Sequence, residues 1–217
     1  MYLSFIVAAK RSLVITLALS FLGLASFFLF EPSITKAATD SVTVSQAVTA
    51  DISLSAASDI TLSALSSSVN SAVGSTTWTV ITNNSSGYNL KVAAGTSPAL
   101  KSGSNSFADY SEAVAGTPET WSVSNAYEFG FSGFGTDVST ASFGSDTKCT
   151  PTANDPSASS LKWEGFDTTG IELANSSGVT NTSGSDVTLC VATEQNGVFA
   201  PSGSYSATIT ATAVVNP

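Results

Sequence analysis

The chain contains no histidine, and its one arginine, Arg11, lies near the start. Without histidine, nucleophilic catalysis of the Ser-His-Asp or Cys-His type lacks its base. With only two cysteines and no histidine, the ligand set of a zinc site cannot be assembled either. Cations are scarce: seven Lys and Arg stand against sixteen Asp and Glu, for a net charge of -9. Past residue 37 the only cations are Lys91, Lys101, Lys148 and Lys162. A nucleic-acid binder needs cations facing phosphate, which argues against that class, and close contact with anionic lipid is disfavoured for the same reason. No glycine-rich phosphate loop ending in Lys-Ser/Thr follows a strand pattern. Helical periodicity is missing from everything after the first 37 or so residues.

Those first residues are different in kind. Lys10 and Arg11 precede an apolar run from Leu13 to Phe30, and small residues Thr35 and Ala37 follow. A basic start, an apolar core and a small pair describe an export signal with a cut after Ala37. The run also nearly reaches the ~18–20 residues that span a bilayer, so an uncleaved N-terminal anchor is the alternative. In either case the positive flank stays inside and the body lies outside the cytoplasm, which makes the expected location extracellular, at the cell surface. Membrane contact is expected only through this segment. Residues 1–37 are thus a signal or anchor and 38–217 a separate domain.

In an exported domain the pair Cys149 and Cys190 reads as a disulfide. The rest of that domain reads as strands. Val42, Val44, Val48, Ala50, Ile52 and Leu54 share one parity, as one long strand or two joined at a bend. Ile60 and Leu62 begin a short element. Thr76–Thr82 and Tyr88–Ala94 flank the turn cluster from Asn83 to Gly87, which predicts an antiparallel hairpin. Residues 94–120 read as a loop with room for one short strand. Further strands begin at Trp121, Tyr127, Leu161, Ile171 and Val187, and 143–160 is the least structured piece. The last strand runs from Tyr205 to Val215, with Ser206, Thr208, Thr210 and Thr212 on its wet face. The expectation is an all-β fold: a single antiparallel β-sandwich, jelly-roll or Ig-like, of about nine or ten strands.

Candidate site residues are few. Glu164, Asp167 and Glu172 lie close enough in sequence to serve as paired carboxylates, but turn acids are commonly just solvated. No catalytic residue is assigned and no enzyme is expected. Asp137, Asp146, Asp155 and Asp167 are loop acids of the kind calcium takes, without the dense loop pattern, so no metal and no cofactor is expected. Asn83, Asn84, Asn175 and Asn181 match the Asn-x-Ser/Thr pattern, which a Ser/Thr-rich chain produces by chance. Gly130, Gly133 and Gly135 interleave with Phe129, Phe131 and Phe134, which points to a bulge or a close backbone approach. Trp121, Tyr127, Phe131 and Trp163 could form a glycan-stacking platform, provided at least two rings are exposed on one face; the alternative is that they fill the core.

The C-terminal run from Ser202 to Pro217 resembles the distal motif of WxL-type bacterial cell-surface domains, in which Tyr, four residues, Thr-Trp-x-Leu, three residues and Pro follow in order. Tyr205, Thr210 and Pro217 keep that spacing, while Ala211 and Ala213 replace the Trp and Leu. Trp78-Thr79-Val80 stands where the proximal Trp-x-Leu would fall. The resemblance implies a Gram-positive-type surface protein held noncovalently to peptidoglycan or another surface glycan. Three functions follow as expectations: a structural or wall-associated surface protein, a filament subunit that self-associates by lending the strands Val42–Leu54 or Tyr205–Val215 to a neighbour, and a carbohydrate-binding module.

Overall fold

The computed structural model describes residues 13–23, 39–150, 152 and 154–217. The expected cut after Ala37 and the Lys10-Arg11 pair lie outside the described residues. The chain divides into two units, Met1–Ala47 and Val48–Pro217. In the first, residues 13–23 are helical and exposed, and 39–47 are exposed without regular structure. Among the described residues no helix is long and apolar enough to cross a membrane.

The second unit is all-β. Its strands are β1 (Ile52–Leu54), β2 (Ser71–Thr82), β3 (Tyr88–Ala94), β4 (Lys101–Ser102), β5 (Asn105–Ser106), β6 (Ala108–Asp109), β7 (Glu119–Thr120), β8 (Tyr127–Gly135), β9 (Lys162–Gly165), β10 (Ile171–Ser176), β11 (Ser185–Gln195) and β12 (Ile209–Val215). The larger sheet runs β1-β2-β11-β8-β9-β7, with the two-residue β6 parallel to β8. The smaller runs β10-β3-β12, antiparallel throughout. The two face each other as a sandwich. Trp78 and Val80 of β2, Phe129 and Phe131 of β8, and Val187, Leu189 and Val191 of β11 meet Tyr88, Leu90 and Val92 of β3 and Leu173 of β10 in one core. The expected all-β sandwich is the observed fold. The described residues form twelve strands, because the loop regions contribute four of two residues each.

Strand β11 shows why the larger sheet is covered on both sides. Its odd residues Val187, Leu189 and Val191 enter the core between the sheets, while Cys190 and Ala192 enter a second cluster with Tyr110, Trp121, Leu161 and Trp163. Period two sends alternate residues to opposite faces, so a strand with apolar residues of both parities must be buried twice. The second cover is made of the loops around 110–123 and 143–161. The Cys149–Cys190 disulfide ties the latter loop to β11, as expected. The glycines of β8 allow the close approach expected of them. A Cβ on Gly130 would lie 2.7 Å from Tyr110 Cβ and 3.0 Å from the Glu164 carbonyl oxygen.

Four strand expectations are corrected. β2 and β3 do not form a hairpin, since they belong to different sheets. The turn between them carries the chain across the sandwich, held by Asn84 Nδ2, which donates to the Gly87 carbonyl at 3.0 Å and to that of Asn216 at 2.8 Å. Gly87 itself has φ +78°, and a Cβ there would fall 2.0 Å from the Ser176 carbonyl oxygen. The stretch Val42–Leu54 is a strand only over Ile52–Leu54. Ile60 and Leu62 lie in no strand. Residues 55–65 form an irregular strap that lays both side chains against Gly74 of β2. Trp121 also stands outside the ladder, the pairing there being confined to Glu119–Thr120.

Candidate functional site

Of the three carboxylates spaced together in the sequence, Glu164 and Asp167 lie near each other with Glu112 beside them, and Glu172 lies apart. Glu164 is buried on β9, and burial together with the nearby charges of Glu112 and Asp167 pushes its carboxyl up to about 7. Asp167 caps a turn, accepting from Thr169 N at 2.9 Å, Gly170 N at 2.7 Å and the Thr169 hydroxyl at 2.8 Å. These bonds hold it below the usual carboxylate range against the opposing effect of burial. Glu172 lies on the other sheet, where it accepts from Asn89 Nδ2 and Asn175 Nδ2. Glu128, fully buried, is satisfied by Ser124 Oγ at 2.9 Å and by Asn125 N at 3.1 Å.

The loop acids are dispersed. Asp137 accepts from the Tyr88 hydroxyl at 2.9 Å, Asp146 from Ser160 N at 2.6 Å, and Asp155 from Ser157 N at 3.0 Å. Asp155 holds its own turn, whereas Asp137 and Asp146 tie their loops to β3 and to the segment before β9. Among the described residues no group of three or more Cys, Asp or Glu could hold a metal ion. The four Asn-x-Ser/Thr asparagines also have structural partners. Asn83 Nδ2 donates to Thr49 O at 2.8 Å, and Asn181 Oδ1 accepts from Ser183 N at 2.8 Å. Asn84 holds the crossing turn, and Asn175 Oδ1 accepts from Asn216 Nδ2 at 3.2 Å.

The glycan-stacking platform is not there. Trp121, Phe131 and Trp163 are buried, and Tyr127 is half-buried. They do not share a face either. Trp121 stacks on Tyr110 at 4.6 Å and meets Trp163 edge-on at 5.2 Å in the outer cluster, whereas Phe131 packs with Phe143 and Phe166 between the sheets. Tyr127 meets Phe107 at 5.3 Å. Rings of this size contribute more by filling a core than by exposure, and the two-sided burial of the larger sheet supplies two cores to fill.

The residues of the WxL-like motif are spread over β2, the segment before β12, β12 itself and the residues after it. Trp78 and Val80 face the core from β2. Tyr205 packs edge-on against Phe107 at 5.1 Å and donates its hydroxyl to Pro201 O at 2.8 Å. Thr210 and Pro217 are exposed.

What the fold leaves open is an edge, a groove and a free segment. β12 pairs with β3 alone. Gly95 N donates to Thr208 O at 2.9 Å and Asn216 N to Gly87 O at 3.0 Å, so the even residues of this stretch bond toward β3. Antiparallel alternation then turns the main-chain groups of Ile209, Ala211, Ala213 and Val215 to the other edge, where no described strand pairs. Beside that edge lies a cavity of about 1080 Å³. Ile209 and Ala211 form one wall and the 57–65 strap the other, with Trp78, Leu189 and Val191 in the floor. The free segment is 39–50. Its valines Val42, Val44 and Val48 are 83%, 88% and 78% exposed. Sequence reading found the valines and the terminal strand. It missed the groove, whose one sequence sign is that Ile60 and Leu62 lack strand-length company. Comparison with protein-family models, with curated proteins and with solved structures found no match.

Proposed function

We propose that this chain is an exported, non-catalytic structural protein of the bacterial cell surface whose copies join into filaments by strand addition. One observation carries the reading. Residues 41–50 alternate Val, Val, Gln, Val and Ala with Ser, Thr and Ala, in strand period, yet they join no described strand and leave three valines in solvent. An exposed apolar alternation of that kind normally marks a surface meant for a partner, and a strand-forming segment finds one at an open sheet edge. The N-terminal sequence supports export, and the disulfide suits an oxidising compartment. No catalytic role is assigned to the carboxylates: Asp146, Asp155 and Asp167 hold loop turns, and Glu128 is satisfied by its neighbours.

The test is direct. Full chain at rising concentration is followed by sedimentation velocity and negative-stain microscopy. Concentration-dependent fibres are expected, and a replacement of Val42, Val44 and Val48 by Asp removes them. A wild-type chain that stays monomeric at millimolar concentration sinks the reading.

A further inference from the structure

We propose that the slot between the free edge of β12 and the 57–65 strap is the acceptor site for residues 42–48 of a second copy, which enters as an added strand beside β12. The inference rests on the assembly reading above and deepens it by naming the site.

The slot has the parts that such a partner needs. Its edge offers the main-chain groups of Ile209 and Ala211 beside the groove and of Ala213 next along it; β1 also packs close to β12, so pairing is confined to this part of the edge. The side chains of these three residues face inward, so a strand paired there lays alternate residues over Trp78, Leu189 and Val191. The small Ala211 and Ala213 leave room beside it. Residues 41–50 supply Val42, Val44, Val48 and Ala50 on one parity and contain no charged residue. The segment can therefore leave water without burying a charge. Gln46, the polar member of that parity, finds hydroxyls in a lining that includes Thr76 and Thr193.

The ends of the sandwich decide between the chain's own segment and a neighbour's. Asn83 holds the start of β1, accepting from Asp51 N at 2.7 Å and donating to Thr49 O at 2.8 Å. That is the Thr82 end of β2. The groove lies toward the other end, by Thr76, which pairs with Leu189 in a register that runs on to Ser71 and Glu194. A donor that leaves from one end and an acceptor that opens toward the other make a head-to-tail contact, which repeats without closing.

Two kinds of full-chain variant test this. The donor variant carries Val42→Asp, Val44→Asp and Val48→Asp and keeps the slot. The acceptor variant carries Ala213→Pro, which removes one free-edge donor and no bond to β3, a position where an edge strand tolerates proline. Retention of the Cys149–Cys190 bond and an unchanged melting profile check its fold. Should it fail that check, Ala211→Trp, which fills the slot instead, takes its place. Each variant alone is expected to sediment as a monomer, and an equal mixture as a one-to-one dimer with nothing longer. An acceptor variant that polymerises like wild type, while the donor variant does not, overturns the slot and leaves assembly standing. A mixture that stays monomeric overturns it too. A wild-type chain that is itself monomeric, and melts lower when the valines are replaced, shows the segment in its own groove and overturns both.

Discussion

Glu164 shows how a residue's environment can reverse its ordinary effect. Its carboxyl is pushed up to about 7 from the ordinary 4.5 by burial and by the charges of Glu112 and Asp167. A group whose native pKa is raised stabilises the fold fully below its unfolded pKa and loses that contribution as pH rises through the native value. Stability is therefore expected to fall by roughly 2 kcal/mol between about pH 4.5 and pH 8, with Glu194, raised first by burial, acting in the same direction. Asp146 and Asp167, held low by donated hydrogen bonds, work oppositely and lose their contribution as pH falls through their depressed values. The optimum thus lies on the acid side of neutrality. Denaturant melts across pH check it, and Glu164→Gln should flatten the alkaline limb; a limb unchanged in that variant refutes the assignment. The disulfide gives a second residue-scale prediction. It joins residues 41 apart, so its loss should cost about 4 kcal/mol by loop closure, measured as the drop in stability on reduction. The cysteine pair was legible in the sequence because two cysteines in an exported chain have one simple use. Glu164 was legible as a carboxylate only. Its state depends on burial under a loop that no local pattern announces.

Elements were legible where periodicity alone decides them and illegible where pairing does. β8, β10 and β11 lie where alternation places them, because a half-buried strand writes its burial into period two. The terminal strand, expected from Tyr205, is a strand only over Ile209–Val215. The β2–β3 connection was misread because five polar turn residues join either a hairpin or two sheets. The choice is made by contacts far away in sequence: Asn84 with Asn216, and Gly87 with Ser176. Gly87→Ala should consequently cost about 2–4 kcal/mol, since it meets both a positive φ and a carbonyl oxygen. Equilibrium unfolding measures this, and a change under about 0.5 kcal/mol, the usual range for an ordinary surface turn, would show the crossing to be unimportant. The strap was invisible for a related reason. Ile60 and Leu62 are spaced as in a strand, but they pack on the flat face that Gly74 opens and not on a sheet edge. The groove beside them exists because the smaller sheet has three strands and does not cover the larger one.

At the scale of the whole molecule, the proposed assembly makes the three-stranded smaller sheet and the exposed valine segment two halves of one arrangement. On that reading a neighbour's segment completes what the smaller sheet leaves uncovered. The sequence held the spare strand in plain view. It concealed the gap, which exists only once β12 has paired with β3 and the strap has taken the far wall. Such an assembly has two unlike ends, and this gives a prediction that a face-to-face dimer does not share. A chain carrying Asp at positions 42, 44 and 48 keeps its acceptor slot, so it can receive a neighbour's strand but cannot extend the filament further. Mixed into wild type at about one part in twenty, it should stop growth at one end and shorten filaments to a mean of about twenty subunits. The same proportion of the Ala213→Pro chain should cap the opposite end with equal effect. Length distributions by microscopy decide the matter. An isologous contact uses the same patch on both partners and closes as a dimer, so it gives no filament for either variant to shorten.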